Sequence, residues 1–172
     1  MADNNFIPDL VIRGARIGTG KGRNFSGQKR VVNGQVMNSE GNRNFLLMLD
    51  NEVAGPMIED GWNVKFTHPR DEDEEPTPYI SVDANFGKFP PEVWKKTPSS
   101  NPVKLDEEDM AALDEDHIIE ANVVVHPRRY DVQGKVGVKA YLRRLLVTVA
   151  EDEFADYFAK NTPYEDEESF PG

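Results

Sequence analysis

The sequence predicts a mainly β protein: an antiparallel β-barrel with one or two short helices and a disordered acidic C-terminal tail. Three observations predict this class. Seven short segments are rich in β-branched or aromatic residues, turn signals separate most of them, and helical signals are confined to two short stretches. Many short strands with turn-rich joints are typical of closed or partly closed barrels, and a β-sandwich is the competing architecture.

The strand signals occur in order along the chain, at residues 10–17, 28–37, 44–50, 62–67, 79–86, 118–126 and 138–149. Glycines at 18, 20 and 22 join the first two strands. Residues 130–137 join the last two, and Gly134 and Gly137 permit positive φ in that joint. The predicted barrel is of the OB type.

Helices are predicted in two places. Residues 52–60 form the first candidate, with Asn51 as its cap and Gly61 as its stop. Residues 106–113 form the second, which begins with acidic residues that suit a helix N-terminus. Residues 71–76 and 95–102 are predicted to be loops.

The length of 172 residues predicts one domain and a tail, which we place at residues 1–158 and 159–172. Cysteine is absent, which excludes a disulfide framework, a thiol nucleophile and a Cys-ligated zinc site. The N-terminus lacks the pattern of a secretion signal, and no segment is long and apolar enough to span a membrane. These features predict a cytoplasmic protein.

The net charge of −11 is sorted along the chain rather than mixed. Residues 10–39 contain no acid, although six Arg and Lys residues lie there. Residues 128–144 are basic apart from Asp131, and the end of the chain is strongly acidic. Basic segments in an otherwise acidic protein indicate a polyanionic ligand.

Binding of a single nucleic-acid strand requires cations for the phosphates and flat rings for unstacked bases. The sequence places the two together, for example in Arg23-Asn24-Phe25 and Arg128-Arg129-Tyr130, whereas Phe45 and Trp62 are better explained as core residues. Little base preference is expected from charge and stacking. The predicted stacking residues are Phe25, Trp94 and Tyr130, and the predicted phosphate contacts are Arg13, Arg16, Lys21, Arg23, Lys29, Arg30, Arg43, Arg128, Arg129, Lys135 and Lys139.

The tail has too few apolar residues to fold and carries one aromatic ring after an acidic run. We expect it either to compete with nucleic acid for the basic surface or to bind a partner protein. A plain solubilising tail is the alternative. The predicted partner-binding residues are Glu165, Asp166, Glu167, Glu168 and Phe170.

Several segments resemble phage-type single-stranded DNA-binding proteins with an OB fold. They are residues 23–27 (RNFSG), 42–45 (NRNF), 60–65 (DGWNVK), 69–73 (PRDED) and 134–142 (GKVGVKAYL). The resemblance covers about residues 10–158. It implies protection of single strands during phage replication or recombination in the bacterial host cytoplasm, and an acidic tail that recruits replication proteins.

No enzyme motif is recognisable, and neither a cofactor nor a metal is expected. Residues 18–22 lack the spacing of a P-loop, the histidines are far apart in the sequence, and the acidic run at 71–75 lacks the glycine of an EF-hand loop. Two alternatives stay open: an acidic protein that mimics DNA, and a metal-dependent nuclease using Asp50, Asp83 and Glu120.

Overall fold

The computed structural model of the protein describes residues 6–87 and 89–151. The predicted tail, with its partner-binding residues, lies outside the described residues. The strands are β1 Leu10–Ile17, β2 Arg23–Asn24, β3 Arg30–Val32, β4 Gln35–Asn38, β5 Arg43–Met48, β6 Lys65–Phe66, β7 Pro78–Ala84, β8 Glu92–Lys96, β9 Val103–Leu105, β10 Ile118–Val132 and β11 Lys135–Val149, and the α-helix is α1 Asn51–Asp60.

The main sheet curls into a partial ring. Strand β1 pairs with β5 on one side and with β10 on the other, β5 continues to β7, and β10 continues to β11, all antiparallel. A short parallel pairing of β11 with β7, at Ala140–Val82 and Tyr141–Asp83, joins the two ends. This is the strand order of the partly open, five-stranded OB barrel, and the predicted mainly β fold is confirmed.

The core fills the inside of this ring. Alternate residues of β5 and β7, Phe45, Leu47, Ile80 and Val82 among them, are fully buried or nearly so, as the pleat requires. Phe25 packs on Phe45 with ring centroids 5.0 Å apart. The outward residues of the same strands are therefore free to form a surface.

Two parts of the strand pattern differ from the prediction. Residues 28–37 do not form one strand, because Asn33 and Gly34 adopt positive φ and fold the segment into the separate β3–β4 hairpin. Strands β8 and β9 extend the sheet beyond the ring, although no strand was predicted for either. The loop predicted at 95–102 is confirmed for residues 97–102, which connect them, while Lys95 and Lys96 belong to β8. Strand β8 is defined by its parallel pairing with β11, a tertiary contact without a local signal.

Helix α1 confirms the first predicted helix despite Pro56 in its interior. Its cap residue is Asp50 rather than Asn51. At its end, Gly61 has φ 97° while its N–H and that of Trp62 bond the carbonyls of Ile58 and Met57. This double bond is a Schellman motif, which only glycine enters without strain. It turns the chain so that the side chain of Trp62 packs in the core of the barrel.

The second predicted helix, residues 106–113, is instead a 3₁₀ helix at Asp109–Asp114. Its Met110 and Leu113 are fully buried, so apolar packing holds a segment too short for a stable α-helix. Within the described residues, no helix is both long and apolar enough to cross a membrane.

The β10–β11 hairpin is much longer than the ring requires. Each strand has 15 residues, and the cross-strand pairs continue to Val132–Lys135. Gln133 and Gly134 have φ of 53° and 85°, the double positive φ of a type I′ turn. Residues 130–137 were predicted to be a loop and are instead mostly paired strand. We call residues 128–139 the arm.

Candidate nucleic-acid interface

An open cleft of about 730 Å³ lies between the outer face of β5 and β7, the segment after helix α1 and the arm. The outward residues of β7 and β11 form its floor, and the arm forms one wall. The residues that line it are Leu46, Trp62, Asn63, Lys65, Tyr79, Ile80, Ser81, Asp83, Arg128, Arg129, Tyr130, Val132, Val138, Lys139, Ala140 and Tyr141. We call this the main cleft.

The arm presents charge and a ring on one face. Arg128 lies directly opposite Lys139 across the two strands, and Tyr130 lies opposite Gly137. Residues paired in this way point to the same side of the hairpin, as do Arg128 and Tyr130, which are two apart. Two cations opposite one another repel, so an anion placed between them is favoured.

Tyr130 is held by its neighbours. Its hydroxyl accepts a hydrogen bond from Asn63 Nδ2 at 3.0 Å. Its ring lies across Gly137, where an added Cβ would be 2.5 Å from the Tyr130 hydroxyl oxygen. Asn63 is in turn fixed by its N–H, which donates to the carbonyl of Val138 at 3.2 Å. The absence of a side chain at 137 and the amide at 63 together position this ring in the main cleft.

Lys139 lies between an acid and a ring. Its Nζ is 2.9 Å from Asp83 Oδ2 and 5.7 Å from the ring centroid of Tyr141. The hydrogen bond to Asp83 raises the pKa of Lys139, more than burial lowers it. A raised lysine pKa means that Lys139 is fully protonated at neutral pH and loses its charge only as the pH rises into the alkaline range.

A smaller cleft of about 430 Å³ adjoins the main cleft. The two share Asp83, Lys139 and Tyr141, and the smaller one continues past Asn42 and Phe86. Together they form a track across the outer face of the barrel, with the three shared residues at the junction.

The structure brings some of the predicted contacts together. Arg128, Arg129, Tyr130 and Lys139 all line the main cleft, and Lys135 lies on the exposed end of the arm beside it. Lys139 and Tyr141, two residues apart on β11, share a face and make a cation–π contact.

Phe25 is misplaced in the prediction. Its side chain is 0% exposed and stacks on Phe45, so it is a core residue and not a stacking surface for a base. The glycine-flanked polar context indicated exposure. The segment can be buried because the carboxylate of Asp114, in place of water, accepts hydrogen bonds from the N–H groups of Phe25 and Ser26.

Arg23 is also structural. Its guanidinium donates to the carbonyls of Gly18 at 2.7 Å and Asp116 at 2.6 Å. Burial lowers its pKa, while the neighbouring Asp114 and Asp116 oppose that effect. It ties the first loop to the 3₁₀ helix and has few donors left for phosphate.

Arg43, also a predicted phosphate contact, is held in an ion pair. Its Nη1 donates a hydrogen bond to Glu107 Oε2 at 2.8 Å, and only 14% of its side chain is exposed. This pair stands beside the smaller cleft, to which Glu107 contributes.

Five other predicted contacts lie outside the lining of the main cleft. Arg13 and Arg16 are exposed on β1, Lys29 and Arg30 lie at the β3–β4 hairpin, and half-buried Trp94 lies on β8. The backbone of Lys21 belongs to the 3₁₀ turn at Gly20–Gly22.

The predicted contacts do not include several residues that line the cleft: Trp62, Asn63, Lys65, Tyr79, Asp83 and Tyr141. Alternation along β7 could have identified Tyr79 and Asp83, which point away from buried Ile80 and Val82. Trp62, 6% exposed, contributes to the floor of the cleft while belonging to the core, as its predicted core role requires.

The nuclease alternative has no support in this geometry. No group of three or more His, Cys, Asp or Glu side chains in residues 6–87 and 89–151 is arranged to hold a metal ion. Asp50 precedes helix α1, Glu120 is exposed on β10, and Asp83 pairs with Lys139.

Comparison with known proteins adds to this geometry. The family model described as "Putative phage ssDNA-binding domain" matches residues 1–170. The structure is similar to that of the single-stranded DNA-binding protein from bacteriophage Enc34 in a C-terminally truncated form, with a TM-score of 0.51 and 11% sequence identity over 84% of this chain and 87% of that chain. Likeness at this identity shows a common fold. No curated sequence matches the chain significantly.

Proposed function

The chain belongs to the phage single-stranded DNA-binding family, and from this premise we propose that it binds single strands along the main cleft, without catalysis and with little base preference. The observation that carries the proposal is the convergence of cations and rings on the outer face of β5, β7 and the arm. OB folds bind oligonucleotides on the corresponding strands and on two loops, the one between their first two strands and the one between their last two.

Each group in the main cleft has a role in this proposal. Lys65, Arg128, Arg129 and Lys139 contact phosphates, while Tyr79, Tyr130 and Tyr141 offer ring faces to unstacked bases. Every base has a π face, so stacking tolerates any sequence. The supporting facts are the cross-strand pairing of Arg128 with Lys139 and the hydrogen bond that holds Tyr130.

Protection of single strands during phage replication or recombination, in the cytoplasm of a bacterial host, is the biological role that we propose. The domain would end near residue 158. The acidic residues 165–168 and Phe170 would modulate binding and recruit a replication protein. The support for this part is charge: four consecutive acids can compete with phosphate for the cations of the main cleft.

The test is fluorescence anisotropy of a labelled 30-mer single strand, with a duplex of equal length as competitor. The protein should bind the single strand more tightly, and log K should fall with log salt with a slope between about −2 and −3. Each phosphate neutralised contributes roughly −0.7, and of the four cations that line the main cleft Lys139 contributes least because it is paired with Asp83.

A matched pair of variants locates the site. Arg128→Ala should weaken binding by about three- to tenfold, while Arg13→Ala, an exposed arginine on β1 outside the cleft, should change it by less than about twofold. Equal losses in both variants would show that binding is diffuse rather than confined to the main cleft.

A further inference from the structure

An acid at the junction of the two clefts is unexpected in a surface that binds phosphate. Asp83 is directed outward from β7, lines both clefts, and has a side chain that is only 15% exposed. A strand that runs from one cleft into the other passes over it. A carboxylate there repels phosphate, at a position where an amide or hydroxyl would fit the same space.

The partner of Asp83 explains how the acid is tolerated. Lys139 Nζ lies 2.9 Å from its carboxylate, and Lys139 in turn faces Arg128 across the arm. Without Asp83, two like charges would stand opposite each other in the unbound protein. Asp83 therefore offsets the charge of Lys139 in the absence of DNA and reduces this repulsion.

The same contact limits binding. When a phosphate takes Lys139 from Asp83, the carboxylate left behind must be hydrated or take up a cation, so the net release of cations is smaller than at a lysine without a carboxylate partner. Lys139 is half-exposed, with 50% of its side chain accessible, so it can reach a phosphate.

We propose that Asp83 is an affinity-limiting residue of the cleft, which holds Lys139 in an ion pair that a DNA phosphate must displace. The inference rests on the proposed function. A limited affinity for each phosphate suits a protein that must release single strands when a polymerase or nuclease acts on them.

The experiment is a double-mutant cycle on single-strand binding at about 0.1 M salt, with Asp83→Asn, Lys139→Met and the double variant. Asp83→Asn should tighten binding by about three- to tenfold and make the salt slope steeper by about 0.7, since it frees one cation. In the Lys139→Met background the same substitution should change affinity by less than about twofold.

The control is Glu92→Gln, which removes one acid from an ion pair outside the cleft, with Arg144 at 3.9 Å. At this salt, charges separated by more than about 10 Å are screened, so its effect should stay below about twofold. Equal tightening in both variants would reduce the effect to net charge and overturn the proposal.

Thermal unfolding separates a binding role from a structural one. Asp83→Asn should lower Tm slightly, because Arg128 and Lys139 then repel each other in the free protein. The same substitution should raise the affinity for single-stranded DNA. Lower or unchanged affinity in this variant would overturn the inference even though the wild type binds. A wild type that binds no single strand would instead refute the proposed function.

Discussion

At the scale of single residues, burial decides which arginines hold the fold together and which can bind DNA. Arg23 and Arg128 both lie next to aromatic residues in basic segments, and both were predicted to contact phosphate. The guanidinium of Arg23 donates hydrogen bonds to the carbonyls of Gly18 and Asp116, whereas Arg128 is exposed on the arm. The sequence shows which residues are charged, but it does not show which hydrogen-bond acceptors lie next to them in the folded protein.

Arg23→Ala should lower the free energy of unfolding by about 2 kcal/mol, since hydrogen bonds from a charged group are worth about 1.5–3 kcal/mol and those of Arg23 to the two carbonyls are partly buried. Urea unfolding measures this change. Affinity for single-stranded DNA, measured where the variant is fully folded, should fall by less than about twofold. A large loss of affinity with unchanged stability would return Arg23 to the binding surface.

Gly137→Ala tests the position of Tyr130. The added methyl group would stand 2.5 Å from the Tyr130 hydroxyl oxygen, so the ring must move away from the cleft wall. Single-strand affinity should fall about as much as in Tyr130→Ala, a loss of roughly 1–3 kcal/mol for one stacked base. Gly134→Ala is the comparison for a change of stability alone, because its own side-chain space is open and only its positive φ of 85° is strained. Unchanged affinity in Gly137→Ala would mean that Tyr130 does not stack on a base.

At the scale of elements, segments rich in β-branched and aromatic residues predicted the strands of the ring but not the two strands outside it. Strand β1 was predicted with its observed bounds, and β5, β7, β10 and β11 with shifted ends. Strands β8 and β9 were not predicted, and they are defined by the pairing of β8 with β11 on one side and with β9 on the other. The register of each strand decides which of its aromatic rings face the cleft, and the sequence does not give this register. Tyr79 was missed for that reason.

Shortening the arm tests the arm as an element. Replacing residues 131–136 by Asn-Gly keeps the Tyr130–Gly137 pair and closes it with a turn that favours type I′. The removed segment contains one acid, Asp131, and one base, Lys135, so the net charge stays the same.

The shortened protein should keep its Tm within about 4 °C, because Val132 and Val136 are 60% and 71% exposed and contribute little to the core. Its single-strand affinity should fall several-fold through lost contacts at the end of the arm. Unchanged affinity in anisotropy titrations would restrict the site to the part of the arm next to the barrel.

At the scale of the whole molecule, the chain combines a net charge of −11 with a cleft lined by cations. The sorted charge predicted binding of a polyanion, with cations from residues 10–39 as well as from 128–139. The first segment supplies β1, β2 and the β3–β4 hairpin, and its Arg13, Arg16, Arg23, Lys29 and Arg30 lie outside the lining of the main cleft. The main cleft draws its cations from β6, β10 and β11, which only the closure of the ring brings together.

Removing the acidic end of the chain tests the proposed competition. A protein that stops at Lys160 loses the four acids at 165–168 and should bind single strands several-fold more tightly at low salt. The gain should shrink as salt screens the charges. Equal affinity of the two forms at low salt in anisotropy titrations would mean that the tail does not compete for the cleft.

The central claim is that single-stranded DNA lies in the main cleft, and titration of ¹⁵N-labelled protein with a short oligothymidine, followed by amide chemical shifts, tests it most directly. We predict that the shifts of Lys65, Tyr79, Asp83, Tyr130 and Lys139 change most, while those of Arg13 and the rest of β1 stay in place. Changes centred on β1 or on the β3–β4 hairpin, with the cleft unaffected, would contradict the account.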